Sequence, residues 1–192
     1  MSELTFNSEK HEYLLSGQRL LSVTQVLKIS GLIDDSYFTE YSANKGSMVH
    51  LACQMQDEND LQEDTLDPII VPYLEAWIKF KVETGWINSE PPELQVYSEL
   101  GFAGMIDRIG FFQGDGRPSV LDIKTGAPQP YHALQLAGYD LAYREHKDPM
   151  IPLRRFAVHL TADGKYKVKE YTDRNDLKVF QAVVILANWK GK

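Results

Sequence analysis

The sequence predicts a single α/β domain with a helical N-terminal portion, and three features of the chain point to it. Apolar residues recur at helical spacing through much of the first 83 residues. From Glu93 the pattern turns into β-rich runs, "LQVYSEL", "FAGMIDRIGFF" and "RPSVLDIKT", divided by the Gly-containing turns "LGF" and "QGDGRP". The helical period returns at Tyr131, and no internal repeat or low-complexity linker separates the parts. A chain of 192 residues suits one such unit: residues 1–92 give the hairpin and helical portion, and 93–192 the sheet core with a closing helix.

In chain order, "LTFNSEKHEYLLSG" reads as a hairpin of two β-prone runs around an Asn-Ser-Glu-Lys turn. Ser22 is placed to cap a helix whose Val23, Val26 and Leu27 share a face, and Gly31 stops it. Residues about 37–55 read as two helical pieces broken near Asn44–Gly46, the second carrying Met48, Val49, Leu51, Ala52 and Met55 around His50. The stretch 54–70 holds Asp57, Glu58, Asp60, Glu63, Asp64 and Asp67 with no Lys or Arg, as a solvated helix end and loop would. A helix from Pro68 to Glu83, with Leu74, Trp77, Ile78 and Phe80 near its apolar face, ends at Gly85. The three β-rich runs that follow read as an antiparallel meander, and Tyr131 to His146 as a helix. "LRRFAVHLT" and "KYKVKEYT" pair around Ala162-Asp163-Gly164. Asp173 caps a last helix to Trp189, with Leu177, Phe180, Val184 and Leu186 inward.

Composition narrows the function classes. Ten Tyr, eight Phe and three Trp supply a substantial core, so general disorder is excluded. The single cysteine, Cys53, rules out an intramolecular disulfide and any cysteine-ligated zinc or iron–sulfur site within one chain. No apolar run approaches the roughly 18–20 residues of a membrane span, and the N-terminus lacks a signal peptide's apolar segment. A soluble, cytoplasmic protein without a membrane partner is expected. The net charge of −7 speaks against non-specific nucleic-acid binding over the whole surface. The charge is uneven, however, and residues 151–192 are net basic.

The chemistry centres on "VLDIKTGAPQPYHALQLAGY". Strand alternation puts Asp122 and Lys124 on one face, with Ile123 opposite and its backbone carbonyl free to reach the same spot. Taken alone, such a pair is most simply a rim ion pair. Asp107, inside the apolar run "AGMIDRIGFF", changes that reading. Two carboxylates directed at one point repel unless a cation lies between them, and a hard divalent ion, Mg²⁺ or Mn²⁺, is the economical answer. Lys124 would then hold an attacking water or neutralise charge on a phosphate. Gln135 and Tyr139 lie one turn apart on the following helix, which the Thr125-Gly126 turn brings back over the strands. His50 is either a core histidine or an imidazole ligand to the same cation.

As a set, "SVTQVL", "KGSMVH", "ELGFAGMID", "VLDIKTG" and "QLAGY" resemble the PD-(D/E)XK nuclease superfamily. Within it they are most similar to the RecB-like and mitochondrial genome maintenance exonuclease-like branch, which includes phage-encoded exonucleases. The resemblance covers about residues 20–145. It implies a restriction-endonuclease-like fold, with a mixed central β-sheet flanked by helices. It also implies divalent-metal-dependent DNA cleavage with one or two Mg²⁺ or Mn²⁺ ions. Carried over, His50, Asp107 and Asp122 would be metal ligands, with the Ile123 carbonyl as a further one, and Lys124 the catalytic lysine. Gln135 and Tyr139, with Thr125, would support the site and its DNA contacts. Glu99 matches an acid often seen at that position, behind the ligands or bound through water. No iron–sulfur cluster and no helicase motor accompany the site, since the chain has neither the cysteines nor a G-x-x-x-x-G-K-[ST] loop. The expected activity is an exonuclease on single-stranded DNA ends, in replication, recombination or repair. A helicase, a recombinase or a single-strand-binding protein are its candidate partners. Arg154, Arg155 and Lys167 are candidate contacts to the DNA backbone.

Overall fold

The computed structural model describes residues 3–7, 10–34 and 39–190. Ser8 and Glu9 of the first turn, and residues 37–38 of the expected second helix, lie outside the described residues.

The fold is mixed α/β, with strands arranged in two five-stranded sheets. The first sheet holds β1 (Leu4–Asn7), β2 (Glu12–Leu15), β3 (Gln18–Ser22), β6 (Phe102–Ile106) and β5 (Leu94–Ser98), in that spatial order. The second holds β10 (Tyr166–Glu170), β9 (Arg154–Leu160), β8 (Ser119–Lys124), β7 (Arg108–Phe112) and β4 (Trp86–Asn88). Each is mixed, because β3 runs parallel to β6 and β8 parallel to β9 while their other pairs are antiparallel. Strands β3 and β4 have no counterpart in the sequence reading.

The expected meander does not form. The run "FAGMIDRIGFF" is divided at Asp107: β6 pairs with β5 in one sheet and β7 with β8 in the other. Where β7 parts from β8, the Asp107 carboxylate takes the Ile123 N–H at 2.5 Å in place of a backbone carbonyl. The carbonyl of Asp107 is used as well, accepting from the Glu93 N–H at 3.1 Å and from the Arg108 guanidinium at 2.6 Å. Asp107 is thus the corner joining the sheets.

Helix α1 (Val23–Ile29) starts at Ser22 through a capping box with Gln25. Helix α2 (Glu40–Glu58) is continuous, not broken near Asn44–Gly46 as expected. A glycine costs a helix only about 1 kcal/mol, and Gly46 sits where an added Cβ would face Thr125 Oγ1. Helix α3 (Val71–Thr84) follows Pro68, and α4 (His132–His146) and α5 (Asn175–Lys190) complete the set. Helices α1, α4 and α5 share a core with Phe102, Ile106 and Val120; α2 and α3 share another with Leu121, Ile123 and Phe156. Strand β8 therefore alternates between the two cores, which leaves Asp122 and Lys124 on the side of Val120. Ile78 and Leu186, expected to face inward, are exposed.

Gly110 is needed for β4 to pair at all, since an added Cβ would stand 2.1 Å from the Ile87 carbonyl oxygen. Gly110→Ala is expected to strip β4 from the sheet and uncover Trp86, at the upper end of the roughly 1–3 kcal/mol that overpacking costs. Thermal unfolding checks it, and an unchanged melting temperature would refute the close approach.

Candidate active site

Four elements meet at the Asp107 corner. Helix α2 contributes His50, the segment before β5 contributes Glu93, the end of β8 contributes Asp122 and Lys124, and α4 contributes Gln135 and Tyr139. These side chains line one cavity of about 1000 Å³.

His50 Nε2 lies 3.0 Å from the Ile123 carbonyl, which can only accept, so that nitrogen carries a proton. This turns Nδ1 toward Asp107 Oδ1 at 3.6 Å and Glu93 Oε1 at 3.9 Å. Ligand atoms of His50, Glu93 and Asp107 all fall within 4.8 Å of one another. An imidazole that donates one N–H to a backbone carbonyl and offers its other nitrogen is the usual arrangement of a metal-binding histidine. The Ile123 carbonyl, the further ligand that the resemblance implies, accepts from His50 and so orients the ring, with its second lone pair still available.

Asp122 is buried beside this group, with Oδ2 turned to Lys124 Nζ at 2.6 Å. The ammonium is the charge partner of that oxygen. Lys124 donates to Gln135 Oε1 at 3.0 Å, and Gln135 Nε2 donates to the Tyr139 hydroxyl at 3.1 Å. The Tyr139 ring lies on Gly104, where a Cβ would come within 2.8 Å of it. The i, i+4 pair on α4 thus ends a chain running from the carboxylate through the ammonium.

Burial is what most raises Asp122, to about 6, with Lys124 opposing and Asp107 adding to it. Asp107 is raised as well, chiefly by burial. Burial alone would lower Lys124, but the Asp122 and Asp107 carboxylates outweigh it, so the ammonium stays charged. The Glu93 and Asp107 carboxylates converge on one imidazole, and the buried Asp122 carboxylate lines the same cavity. This oxygen-rich donor set fits a hard divalent cation.

Burial likewise would lower the His50 imidazole, yet Asp107 and Glu93 lift it to about 9. A cation needs the neutral ring. Its affinity is expected to climb as pH rises toward about 9, with a proton released on binding below that value. In the cation-free protein the sign is opposite. The raised imidazolium stabilises in full below about 6.5, and that contribution is lost as pH passes about 9. Titration calorimetry with Mn²⁺ in buffers of different ionisation enthalpy measures both; an affinity flat across this range removes His50 from the ligand set.

Glu93 escaped the sequence reading, which named Glu99. Register decides between them. Leu94 pairs with Ile106, so one residue further along Glu93 stands opposite Asp107, while Glu99 lies at the far turn of that hairpin. There Glu99 is exposed and its N–H donates to Glu145 Oε2 at 3.0 Å. Glu93 also adopts a left-handed φ of 55°, a strained setting for a non-glycine residue that often accompanies function. Thr125 lies behind the cluster, facing Gly46 of α2.

Two further expectations change. Asp57 is not solvated: its side chain, 1% exposed, accepts from Arg108 Nε at 2.6 Å and Trp77 Nε1 at 3.1 Å and pairs with Lys81. Arg108 also reaches Glu93 Oε1 at 3.3 Å, so this buried ion pair backs the candidate ligand group. Arg154 and Arg155 are committed elsewhere, Arg154 to Asp115 and Glu170 and Arg155 to Asp176. That removes them as free contacts for DNA; Lys167 is exposed.

The family match gives the class of the chain as a nuclease. The model of the PD-(D/E)XK nuclease superfamily matches residues 25–188, and the chain belongs to that superfamily. Among solved structures it is similar to the alkaline exonuclease LHK-Exo from Laribacter hongkongensis, in complex with dAMP. That match has a TM-score of 0.50 at 16% identity over 89% of this chain and 87% of that one. It is also similar to a candidate exonuclease from Eubacterium rectale, with a TM-score of 0.52 at 12% identity over 91% and 74% of the respective chains. At these identities the likeness is one of fold. No curated protein matches the sequence. Among the described residues no helix is long and apolar enough to cross a membrane.

Proposed function

We propose that this nuclease is a divalent-metal-dependent deoxyribonuclease that works as an exonuclease on single-stranded ends. The observation that carries the reading is a charged lysine fixed beside a cluster of carboxylates and an imidazole. His50 Nδ1, Glu93 and Asp107, with Asp122 adjoining, would hold the cation. Bound there, a divalent ion would polarise a phosphodiester and lower the pKa of water.

The chain's own residues divide the remaining work. Because the Lys124 ammonium stays charged, it can only donate, and so it is not the general base. It holds the attacking water or a phosphate oxygen, placing positive charge where negative charge develops. Gln135 and Asp122 fix its direction, and Tyr139 fixes Gln135. The Tyr139 phenol, whose pKa burial raises well above its ordinary value, stays neutral and takes no proton part.

The exonuclease reading is supported by the Laribacter relative, an alkaline exonuclease seen with dAMP. The test is digestion of end-labelled linear single strands, linear duplex and circular single strands, with Mg²⁺, with Mn²⁺ and with EDTA. Linear single strands should be consumed only with the cation, and the circle should stay intact. A cleaved circle would make the enzyme an endonuclease; no cleavage in any arm would refute nuclease action on DNA.

A further inference from the structure

We infer that the N-terminal hairpin carries a stacking subsite for an unpaired nucleobase, built from Phe6 and His11 on the wall of the catalytic cavity. The inference deepens the proposed activity and rests on it. Phe6, His11 and Tyr13 line the same cavity as His50, Asp107 and Lys124. Phe6 is the cross-strand partner of Tyr13, and His11, in the turn just before β2, brings its ring to both of them.

The rings are ordered against one another. Phe6 and Tyr13 centroids lie 4.6 Å apart at 31°, and His11 meets the Phe6 ring edge-on at 5.4 Å and 87°. Hairpin packing accounts for Tyr13, buried in a small cluster with Leu20 and Ala103, and for one side of the half-buried Phe6, which packs against that cluster. It does not account for His11, which is exposed and held at a left-handed φ of 50°. That backbone setting costs energy in a histidine, and among the described residues no aromatic-ring contact of His11 reaches beyond Phe6 and Tyr13.

The rest of the cavity shows what these rings are for. Among the described residues that line it, Lys124 is the sole Lys or Arg, against the acids Glu93, Asp107 and Asp122. Electrostatic grip on a nucleic-acid backbone is therefore confined to the phosphate at Lys124 and the proposed cation, and beyond it the bases must supply the hold. Aromatic faces bind bases of any sequence, but only bases whose own faces are free. A duplex offers such faces only at its end. The hairpin would thereby favour unpaired ends while leaving sequence unread.

Binding separates this from simple packing. Fluorescence anisotropy with a labelled single-stranded oligonucleotide, in Ca²⁺, compares the wild type with Phe6→Leu, Phe6→Trp and His11→Asn. Leucine keeps an apolar side chain in the hairpin, and asparagine tolerates the left-handed backbone at position 11. Phe6→Leu and His11→Asn should each raise Kd roughly 5- to 150-fold, the worth of one stacked base, while Phe6→Trp keeps wild-type affinity. A fully abasic oligonucleotide should bind weakly and equally to the wild type and to Phe6→Leu. The subsite is refuted if both ring-removing variants bind as the wild type does. It is equally refuted if they weaken natural and abasic strands alike, or if the wild type does not bind single strands. Failure of the nuclease reading looks different: intact DNA in Mg²⁺ and Mn²⁺ with these binding differences preserved.

Discussion

Replacing Lys124 with Met is expected to slow DNA hydrolysis by roughly two to four orders of magnitude while the fold persists. The side chain is 20% exposed and lies between Asp122 and Gln135, so the change removes a directed positive charge from the cavity. The fold tolerates the loss because Asp122, already raised to about 6 by burial, can take a proton once its partner has gone. Gln135 and Tyr139 keep their mutual hydrogen bond in the variant. Release of label from a single-stranded end in Mn²⁺, measured beside a melting curve, gives the result. A folded variant within tenfold of wild type would remove Lys124 from the mechanism.

The second large effect lies behind the site. Arg108 is 0% exposed and its guanidinium meets Asp57, Glu93 and the carbonyl of Asp107, with the Trp77 ring 5.4 Å away. Arg108→Met takes the partner from Asp57 Oδ2, leaving the carboxylate only what Lys81 and the Trp77 N–H give its other oxygen. Breaking such a buried pair from one side costs about 3–5 kcal/mol, or roughly 6–20 °C of melting temperature for a chain of this size. Asp57→Asn combined with Arg108→Met should cost less than the two changes added, because neither charge is then left alone. Cation affinity should fall as well, since Glu93 loses the group that steadies its carboxylate. Urea unfolding and Mn²⁺ titration read the two effects, and a single variant as stable as wild type would show that Arg108 bears no such weight.

How legible these features are in the sequence follows from what kind of regularity fixes each. Asp122 and Lys124 share a side because strands alternate, and Gln135 and Tyr139 meet because a helix repeats; both depend only on neighbours along the chain. The register of the β5–β6 hairpin was also within reach. Taking the Leu-Gly turn at residues 100–101 as its tip places Glu93, and not Glu99, across from Asp107. The division at Asp107 was not legible, since the apolar run continues unbroken while its pairing partner changes. Asp57 could not be told from its solvated neighbours, because its partner Arg108 lies 51 residues away. The break expected in α2 shows the reverse error. A local glycine signal outweighed a helix that is capped at both ends and held against the sheet.

The corner at Asp107 ties the architecture of this nuclease to its candidate chemistry. One carboxylate oxygen holds the Ile123 N–H where the sheets divide, and the other faces His50 in the cluster that a cation would occupy. Evolution cannot adjust one duty of this residue without touching the other. A random screen for inactive variants will therefore recover position 107 under two descriptions, as a silent enzyme and as a poorly folding one, and the two will be the same lesion.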